Sequence, residues 1–441
     1  MAVAVADNAR VRRLAATTGV VALVAVASLA ASDRSDAAPP PGAEACPVFP
    51  DDSYWHADVS GLPVHERSAA WLATMGGGGR RLHPDFGPSG GALPYGIPYD
   101  VVGGGEPKVG VRFDYDDESD PGPYPFSERT TIEGGSDRHA LVIDRDACVL
   151  YELFAADWNG GDPTAGSGAV YDLRSNALRP DGWTSADAAG LPIFPGLLRL
   201  DEVRAGHVDH AVRVTASQTD GSYRWPARHE ASSANDPNRP PMGAWFRMRA
   251  DVDISGYRPE TQVILTAFKT HGLIVADNGS NWYFTGSADE GWDGAVLDEL
   301  KSIRAESFEA VDASALMVSP DSGRARSVTG PPPPALPDLS GFATRPAPGP
   351  EKPGTTGSTT SAPAPPAAAE PAPTTATTQT TTTTGPAGGE LTARSPVTDA
   401  GDPGPSGLTL AAVVTAVAAL GGAGWRLRRR RRPGRAPGAP V

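Results

Sequence analysis

The chain has 441 residues, of which 39% are hydrophobic and 20% are charged, and its formal net charge is −14. Seven arginines and no acidic residue follow Trp425, so the rest of the chain is more acidic than the net charge suggests. Nucleic acids and anionic membrane surfaces require a positively charged face, and this composition excludes both as main partners of the folded part.

The first thirty residues have the pattern of a secretory signal peptide. Three arginines precede an apolar run, and Ser28 and Ala30 have the −3 and −1 spacing that signal peptidases accept. We predict a signal peptide over residues 1–30 and a short linker over 31–45. An uncleaved anchor is the alternative, although an alanine-rich run of this length is short for a permanent span.

Residues 46–318 are predicted to form the extracellular domain. Alternating apolar and polar residues predict strands at Lys108–Tyr115, His139–Asp144, Cys148–Phe154, Asp209–Ser217, Trp245–Ile254 and Leu273–Ala276. Helical patterns occur at Pro63–Met75, Arg258–His271 and Asp293–Arg304. Many strands with turn-rich connections and few helices predict a mainly β fold, an antiparallel β-sandwich or jelly roll in a single domain.

The two cysteines of the chain, Cys46 and Cys148, both lie in this domain. An exported protein with one cysteine pair is expected to form a disulfide bond, since the compartment outside the cytosol is oxidising.

Several runs carry a family resemblance: LHPDFG (Leu82–Gly87), IEGGSDRHALVIDRDACVLYEL (Ile132–Leu153), WPARHEASS (Trp225–Ser233) and HGLIVADNGSNWYFTG (His271–Gly286). Together with the runs between them, they resemble a widespread and largely uncharacterised family of secreted bacterial proteins. The resemblance covers nearly the whole domain. It implies an exported, β-rich unit and brings no activity or site residue with it.

No catalytic motif decides whether the chain is an enzyme. His65-Glu66 begins like the zinc motif H-E-x-x-H, but Ala69 stands at its last position. The glycine-rich run from Gly161 to Ser167 lacks the lysine of a phosphate-binding loop, so nucleotide binding is not expected.

Polar side chains on predicted strands and loops give a candidate ligand-binding set of His139, Glu152, Arg213, Trp225, Arg228 and His229. Such groups would bind sugar hydroxyls or, through His and Glu, a metal ion. His210 shares a face with Val212 and Val214, which favours a buried core histidine. Loop capping is the alternative for the pair Arg228-His229.

An acidic run gives the one cofactor hypothesis, a Ca²⁺ loop with ligands Asp114, Asp116, Glu118 and Asp120. A solvated acidic loop is the alternative, because the glycine and distal glutamate of an EF-hand are absent. Asp277-Asn278-Gly279 is predicted to be a tight turn. Trp158, Trp183 and Trp225 lie in polar loops, where their rings would stack on a sugar.

The C-terminal third predicts surface attachment. Residues 319–406 are rich in Pro, Thr and Ala and are typical of a disordered stalk. Residues 407–425 are apolar and long enough to cross a bilayer, and the arginines of 426–441 would stay in the cytoplasm. This end resembles that of sortase-anchored proteins, but no Leu-Pro-x-Thr-Gly motif precedes it.

Taken together, these features predict a single-pass cell-membrane protein with a large extracellular β domain. Its expected role is a recognition or carbohydrate-associated module at the cell envelope, with an extracellular glycan as partner and the membrane bound through the C-terminal helix. A glycan-active hydrolase or lyase and a purely structural envelope protein are the alternatives.

Overall fold

The computed structural model describes residues 38–88 and 94–327. The predicted signal peptide, membrane span and basic tail, and all but the first residues of the predicted stalk, lie outside these ranges. Among the residues described, no helix has the length and apolar character needed to cross a bilayer.

Strands dominate the described part of the chain, which confirms a mainly β fold. In chain order they are β1 (His83–Asp85), β2 (Tyr99–Val102), β3 (Arg112–Phe113), β4 (Ala140–Asp144), β5 (Val149–Phe154), β6 (Thr164–Ala165), β7 (Ser167–Asp172), β8 (Val212–Ala216), β9 (Trp245–Met248), β10 (Leu273–Asn278), β11 (Tyr283–Thr285), β12 (Phe308–Val311), β13 (Met317–Ser319) and β14 (Ser322–Ala325). The α-helices are α1 (Ser68–Thr74), α2 (Leu200–Ala205), α3 (Pro259–Thr270) and α4 (Gly294–Ser302).

The strands form two larger sheets and two small ones. The six-stranded sheet has the order β1-β11-β8-β10-β9-β12, and the four-stranded sheet has the order β2-β4-β5-β7. Both sheets are mixed rather than antiparallel, because β1 pairs with β11, β8 with β10, and β2 with β4 in parallel. A parallel pair needs a long crossover, and the connection from β8 to β10 contains β9 and α3.

Several predicted elements are confirmed, with shorter ends. Helix α3 begins at Pro259 and is followed by Gly272, whose φ of +74° and Cβ position 2.3 Å from the Phe246 carbonyl oxygen leave no room for a side chain. The predicted strand Trp245–Ile254 is too long, because the chain turns after Met248 with a bond from the Val252 amide to the Arg249 carbonyl.

Each face of the four-stranded sheet packs against apolar side chains. Leu141 and Ile143 of β4 belong to the main core, which also contains the apolar face of the six-stranded sheet and helix α3. Ala140 and Val142, on the opposite face of β4, pack in a second cluster with Tyr124 and Phe126. The strand is therefore buried on both faces, rather than half-buried as the predicted alternation implies, and its residues Ala140–Ile143 are consecutive apolar residues.

The predicted disulfide bond joins Cys46 to Cys148. It ties the N-terminal segment to the start of β5, and both sulfur-bearing residues are buried. At the other end, the hairpin of β13 and β14 lies at and beyond residue 318, where the predicted domain ends. Ser322 and Gly323 contact Asn176, and the Ala325 amide bonds to the Asp52 carbonyl.

Candidate functional site

One face of the six-stranded sheet carries a row of polar side chains across three neighbouring strands. Asp85 of β1 is in register with Thr285 of β11, and the pairing of Phe284 with Val214 places Thr285 beside Arg213 of β8. The Arg213 guanidinium donates to Thr285 Oγ1 at 2.7 Å. Side chains alternate along each strand, so the opposite face keeps Phe284 and Val214 in the core.

A β-bulge adds Asp277 to this face. The register between β8 and β10 runs regularly through Val275 and then skips one residue, so that Asp277 rather than Ala276 lies opposite Thr215. The bulge therefore turns Asp277 to the same face as Arg213, and its Oδ2 lies 3.7 Å from Arg213 Nη2. The predicted tight turn at 277–279 is wrong, since β10 continues through Asn278.

Arg213 forms its strongest contact with Asp187. Its Nε and Nη2 donate to the two carboxylate oxygens at 2.8 and 2.7 Å, the bidentate geometry of the strongest arginine–carboxylate pairs. The Asp187 side chain is fully buried. The pair joins the segment before the short helix Phe194–Gly196 to the centre of the six-stranded sheet.

Glu152 of β5 is a second buried carboxylate. Its oxygens accept from the amides of Ile193 and Phe194 at 2.8–2.9 Å. Burial raises the pKa of Glu152 to about 7. The two amide bonds lower this pKa, and the negative charge of Asp187 raises it further. Burial, followed by Asp187, also raises the pKa of Asp277 to about 7, although 27% of its side chain stays exposed.

Two polar pairs complete the cluster. Glu133 Oε2 lies 2.5 Å from His139 Nδ1, and its negative charge raises the pKa of His139 although burial opposes it. Within the described chain, His139 Nε2 is buried and has no hydrogen-bond partner. The Tyr95 hydroxyl bonds to Asp85, whose pKa is raised by burial. We call this set the Arg213 cluster; its members are Asp85, Tyr95, Glu133, His139, Glu152, Asp187, Arg213, Asp277 and Thr285.

The candidate ligand-binding set predicted from the sequence therefore divides in two. His139, Glu152 and Arg213 belong to the Arg213 cluster, whereas the side chains of Trp225 and Arg228 bond to other loops, and His229 contacts Ala188, the residue after Asp187. The indole nitrogen of Trp225 donates to the Ser322 carbonyl, and Arg228 donates to the Arg179 and Pro320 carbonyls and to Asp321. His229 Nδ1 lies 2.9 Å from the Ala188 carbonyl oxygen. These contacts join loops, which is the role that the loop-capping alternative gives to Arg228-His229.

The acidic run has protein partners at two of its four residues. Asp120 pairs with Arg179 at 2.5 Å, and Glu118 Oε2 accepts from the Thr184 amide, whereas Asp114 and Asp116 are exposed. Among the described residues no group of three or more His, Cys, Asp or Glu side chains is placed to hold a metal ion. The Ca²⁺ loop stays a prediction from the sequence.

His210 is a core residue, as its strand face predicts. Its ring nitrogens lie 2.8 Å from the Ala211 carbonyl and 3.1 Å from Glu202 Oε2, and the side chain is buried. The core also contains Trp71, Trp245 and Trp282, whose side chains are buried.

The other six members of the Arg213 cluster were not among the predicted site residues: Asp85, Tyr95, Glu133, Asp187, Asp277 and Thr285. Asp85, Glu133 and Asp277 stand within the runs that carry the family resemblance, but nothing in their local patterns separates them from turn residues. No protein-family profile, curated protein or solved structure matches this chain. The geometry of the Arg213 cluster is therefore the main basis for a functional assignment.

The buried carboxylate of Glu152 predicts a measurable pH dependence. Because its folded-state pKa lies above the ordinary value of 4.5, its contribution to stability is fully present below about pH 4.5 and is lost as the pH rises through about 7. Glutamine at this position keeps an acceptor for the two amides and cannot ionise. Between pH 5 and pH 8 the free energy of unfolding should therefore fall by about 2–3 kcal/mol less in Glu152→Gln than in the unaltered chain.

Urea unfolding at pH 5 and at pH 8 measures this difference, with the exposed Glu290→Gln as the control variant. Equal pH dependence in Glu152→Gln and the unaltered chain would contradict the prediction.

Proposed function

We propose that this chain is a surface-displayed enzyme that hydrolyses an extracellular glycan at the cell envelope, with the Arg213 cluster as its catalytic site. The single observation that carries the proposal is Asp277, a partly exposed carboxyl group that the β-bulge turns toward Arg213 and whose pKa is raised to about 7. Carboxyl groups with raised pKa values gather at catalytic sites more often than elsewhere.

Glycoside hydrolysis needs two carboxyl groups with different protonation states. One protonates the leaving oxygen, and the other activates a water molecule or attacks the sugar. Asp277 has the raised pKa of the acid. Asp85 and Glu133 are the carboxylates that would act as its partner, because both interact electrostatically with Arg213 and both keep part of their surface exposed.

The substrate class and the cellular location rest on the sequence. The disulfide bond fits an oxidising compartment. We propose that the signal peptide directs export, that residues 407–425 anchor the chain in the membrane, and that the Pro/Thr/Ala stalk raises the domain toward the envelope glycans. Membership of a family of secreted bacterial proteins, which the sequence resembles, is part of the same proposal. So is the packing of the two larger sheets as a sandwich, because both sheets contribute side chains to the main core.

Loss of the Asp277 proton donor tests the proposal. The full-length chain is incubated with purified bacterial cell walls and with a panel of polysaccharides, and released reducing ends are measured from pH 4 to 9. We expect Asp277→Asn to lower the rate at least about 100-fold, as removal of a general acid does. The exposed Asp298→Asn is the matched control. The proposal fails if no polysaccharide is cleaved or if Asp277→Asn cleaves as fast as the control.

A recognition module is the second candidate. It is favoured by Trp183, a half-buried loop residue whose ring lies 5.5 Å from the Arg179 guanidinium, as sugar-stacking surfaces require an accessible aromatic ring. Retention of the chain on cell walls without release of reducing ends would support this function over catalysis.

A further inference from the structure

A cavity of about 190 Å³ is lined by residues of helix α1, of the start of β9 and of the segment from β12 to β13. It is smaller than the roughly 300–1,000 Å³ of pockets that hold drug-sized ligands. Much of its wall is apolar and comes from the half-buried Trp225 and from Val311, Ala313 and Met317. The cavity therefore suits a small molecule with an apolar part.

Two of the described residues that line this cavity are charged, Arg224 and Asp312. Within the described chain the Arg224 guanidinium forms neither a hydrogen bond nor an ion pair, and the two charges do not pair with each other. Asp312 Oδ1 accepts from the Ser314 amide at 3.0 Å and caps the short helix that follows β12. A carboxylate has about four acceptor positions, so this cap leaves Asp312 able to bind a cation.

The Arg224 guanidinium is held at the wall of the cavity by Trp71, which also lines it. The guanidinium carbon lies 5.7 Å from the centroid of the Trp71 ring, a cation–π contact that uses none of its N–H donors. These donors have the planar arrangement that forms two parallel bonds to a carboxylate. An exposed arginine held in this way is a receptor for a ligand carboxylate.

His65, stacked on the same Trp71 ring with centroids 4.2 Å apart, adds no third charge. Its Nδ1 accepts from the Arg67 amide at 3.1 Å, so the proton of the neutral ring is on Nε2. Burial, followed by the positive charge of Arg224, lowers the pKa of His65, whereas Asp312 acts on it in the opposite direction. Both charges therefore lie close to this imidazole, and they make the cavity dipolar rather than cationic or anionic.

We propose that this cavity binds a small zwitterion with an apolar side chain, which is the chemistry of a neutral α-amino acid. The ligand carboxylate pairs with Arg224 and its ammonium group with Asp312, while its side chain lies against Trp225 and Met317. None of the residues that line the cavity belongs to the Arg213 cluster. The site does not depend on the proposed hydrolase activity.

Binding of amino acids to the full-length chain tests the charges of the ligand. Leucine, methionine, phenylalanine and valine are titrated at pH 7 and followed by saturation-transfer NMR and calorimetry. We expect at least one to bind. Its methyl ester lacks the carboxylate and its N-acetyl derivative lacks the ammonium group, so each should bind at least about tenfold more weakly, the effect of one lost charged hydrogen bond.

Two variants test the protein side of the same contacts. Arg224→Met and Asp312→Asn should each weaken binding at least about tenfold, and asparagine keeps the acceptor that caps the short helix. The matched control is Arg204→Met, which removes an exposed arginine outside the cavity. If one variant does not fold, the other carries the test, since each removes a different charge.

Asp277→Asn should bind the amino acid as the unaltered chain does, so failure of the hydrolase proposal leaves this one standing. The inference is overturned if none of the four amino acids binds, if the ester and the N-acetyl derivative bind as tightly as the zwitterion, or if both cavity variants bind like Arg204→Met.

Discussion

Replacing Arg213 with methionine should destabilise the domain by about 3–5 kcal/mol. The substitution leaves the Asp187 carboxylate fully buried without its partner, and it also removes the donor to Thr285. Removal of one member of a buried ion pair costs far more than the pair itself contributes, because the remaining charge has lost its solvation and its counter-charge. Urea unfolding at pH 7 measures the change.

The matched control is Arg112→Met. Arg112 forms a similar contact with Asp162 at 2.8 Å, but both side chains are mostly exposed, so a loss of less than about 1 kcal/mol is expected. The double variant Arg213→Met, Asp187→Leu should recover part of the loss, because no buried charge remains. If Arg213→Met lowers the free energy of unfolding no more than Arg112→Met does, Asp187 must be solvated or protonated in the folded domain.

Removal of the disulfide bond should cost a similar amount. The bond closes a loop with a sequence separation of 102 residues, and its loss restores about 4–5 kcal/mol of chain entropy to the unfolded state on the loop-closure model. The double variant Cys46→Ala, Cys148→Ala is compared with the unaltered chain by thermal and urea unfolding.

Reduction of the unaltered chain is the control for this prediction. Both cysteines are buried, so the alanine variant also loses some packing, and the reduced chain keeps the side chains while it loses the bond. The reduced chain should therefore be destabilised nearly as much as the double variant. Equal midpoints for the oxidised and reduced chains would contradict the entropic account.

Much of the fold could be predicted from short-range patterns. The strands β4, β5 and β8 and the helices α3 and α4 lie within the predicted segments, because periodicity and end signals are local properties. Mixed pairing could not be predicted in the same way. Whether β8 pairs with β10 in parallel depends on how the long connection packs, and residue alternation contains no information about it.

The Arg213 cluster could be predicted only in part. Glu152 and Arg213 are polar residues on strands and His139 directly precedes one; all three have mostly apolar neighbours on the chain, and this contrast is visible in the sequence. Asp85, Glu133 and Asp187 are acidic residues among many acidic loop residues. Their importance depends on which strand or loop lies next to Arg213, and no local pattern records that contact.

The sequence alone determined the mainly β character, the positions of the longer elements and the cysteine pair that forms the disulfide, because propensity, periodicity and cysteine number are properties of short segments or of composition. The tertiary structure alone decided which polar residues meet. The clearest case is Asp277, which sequence reasoning assigned to a turn. A one-residue bulge in β10 turns it onto the face of Arg213, because side chains alternate with a period of two and a shift of one residue exchanges the two faces of a sheet.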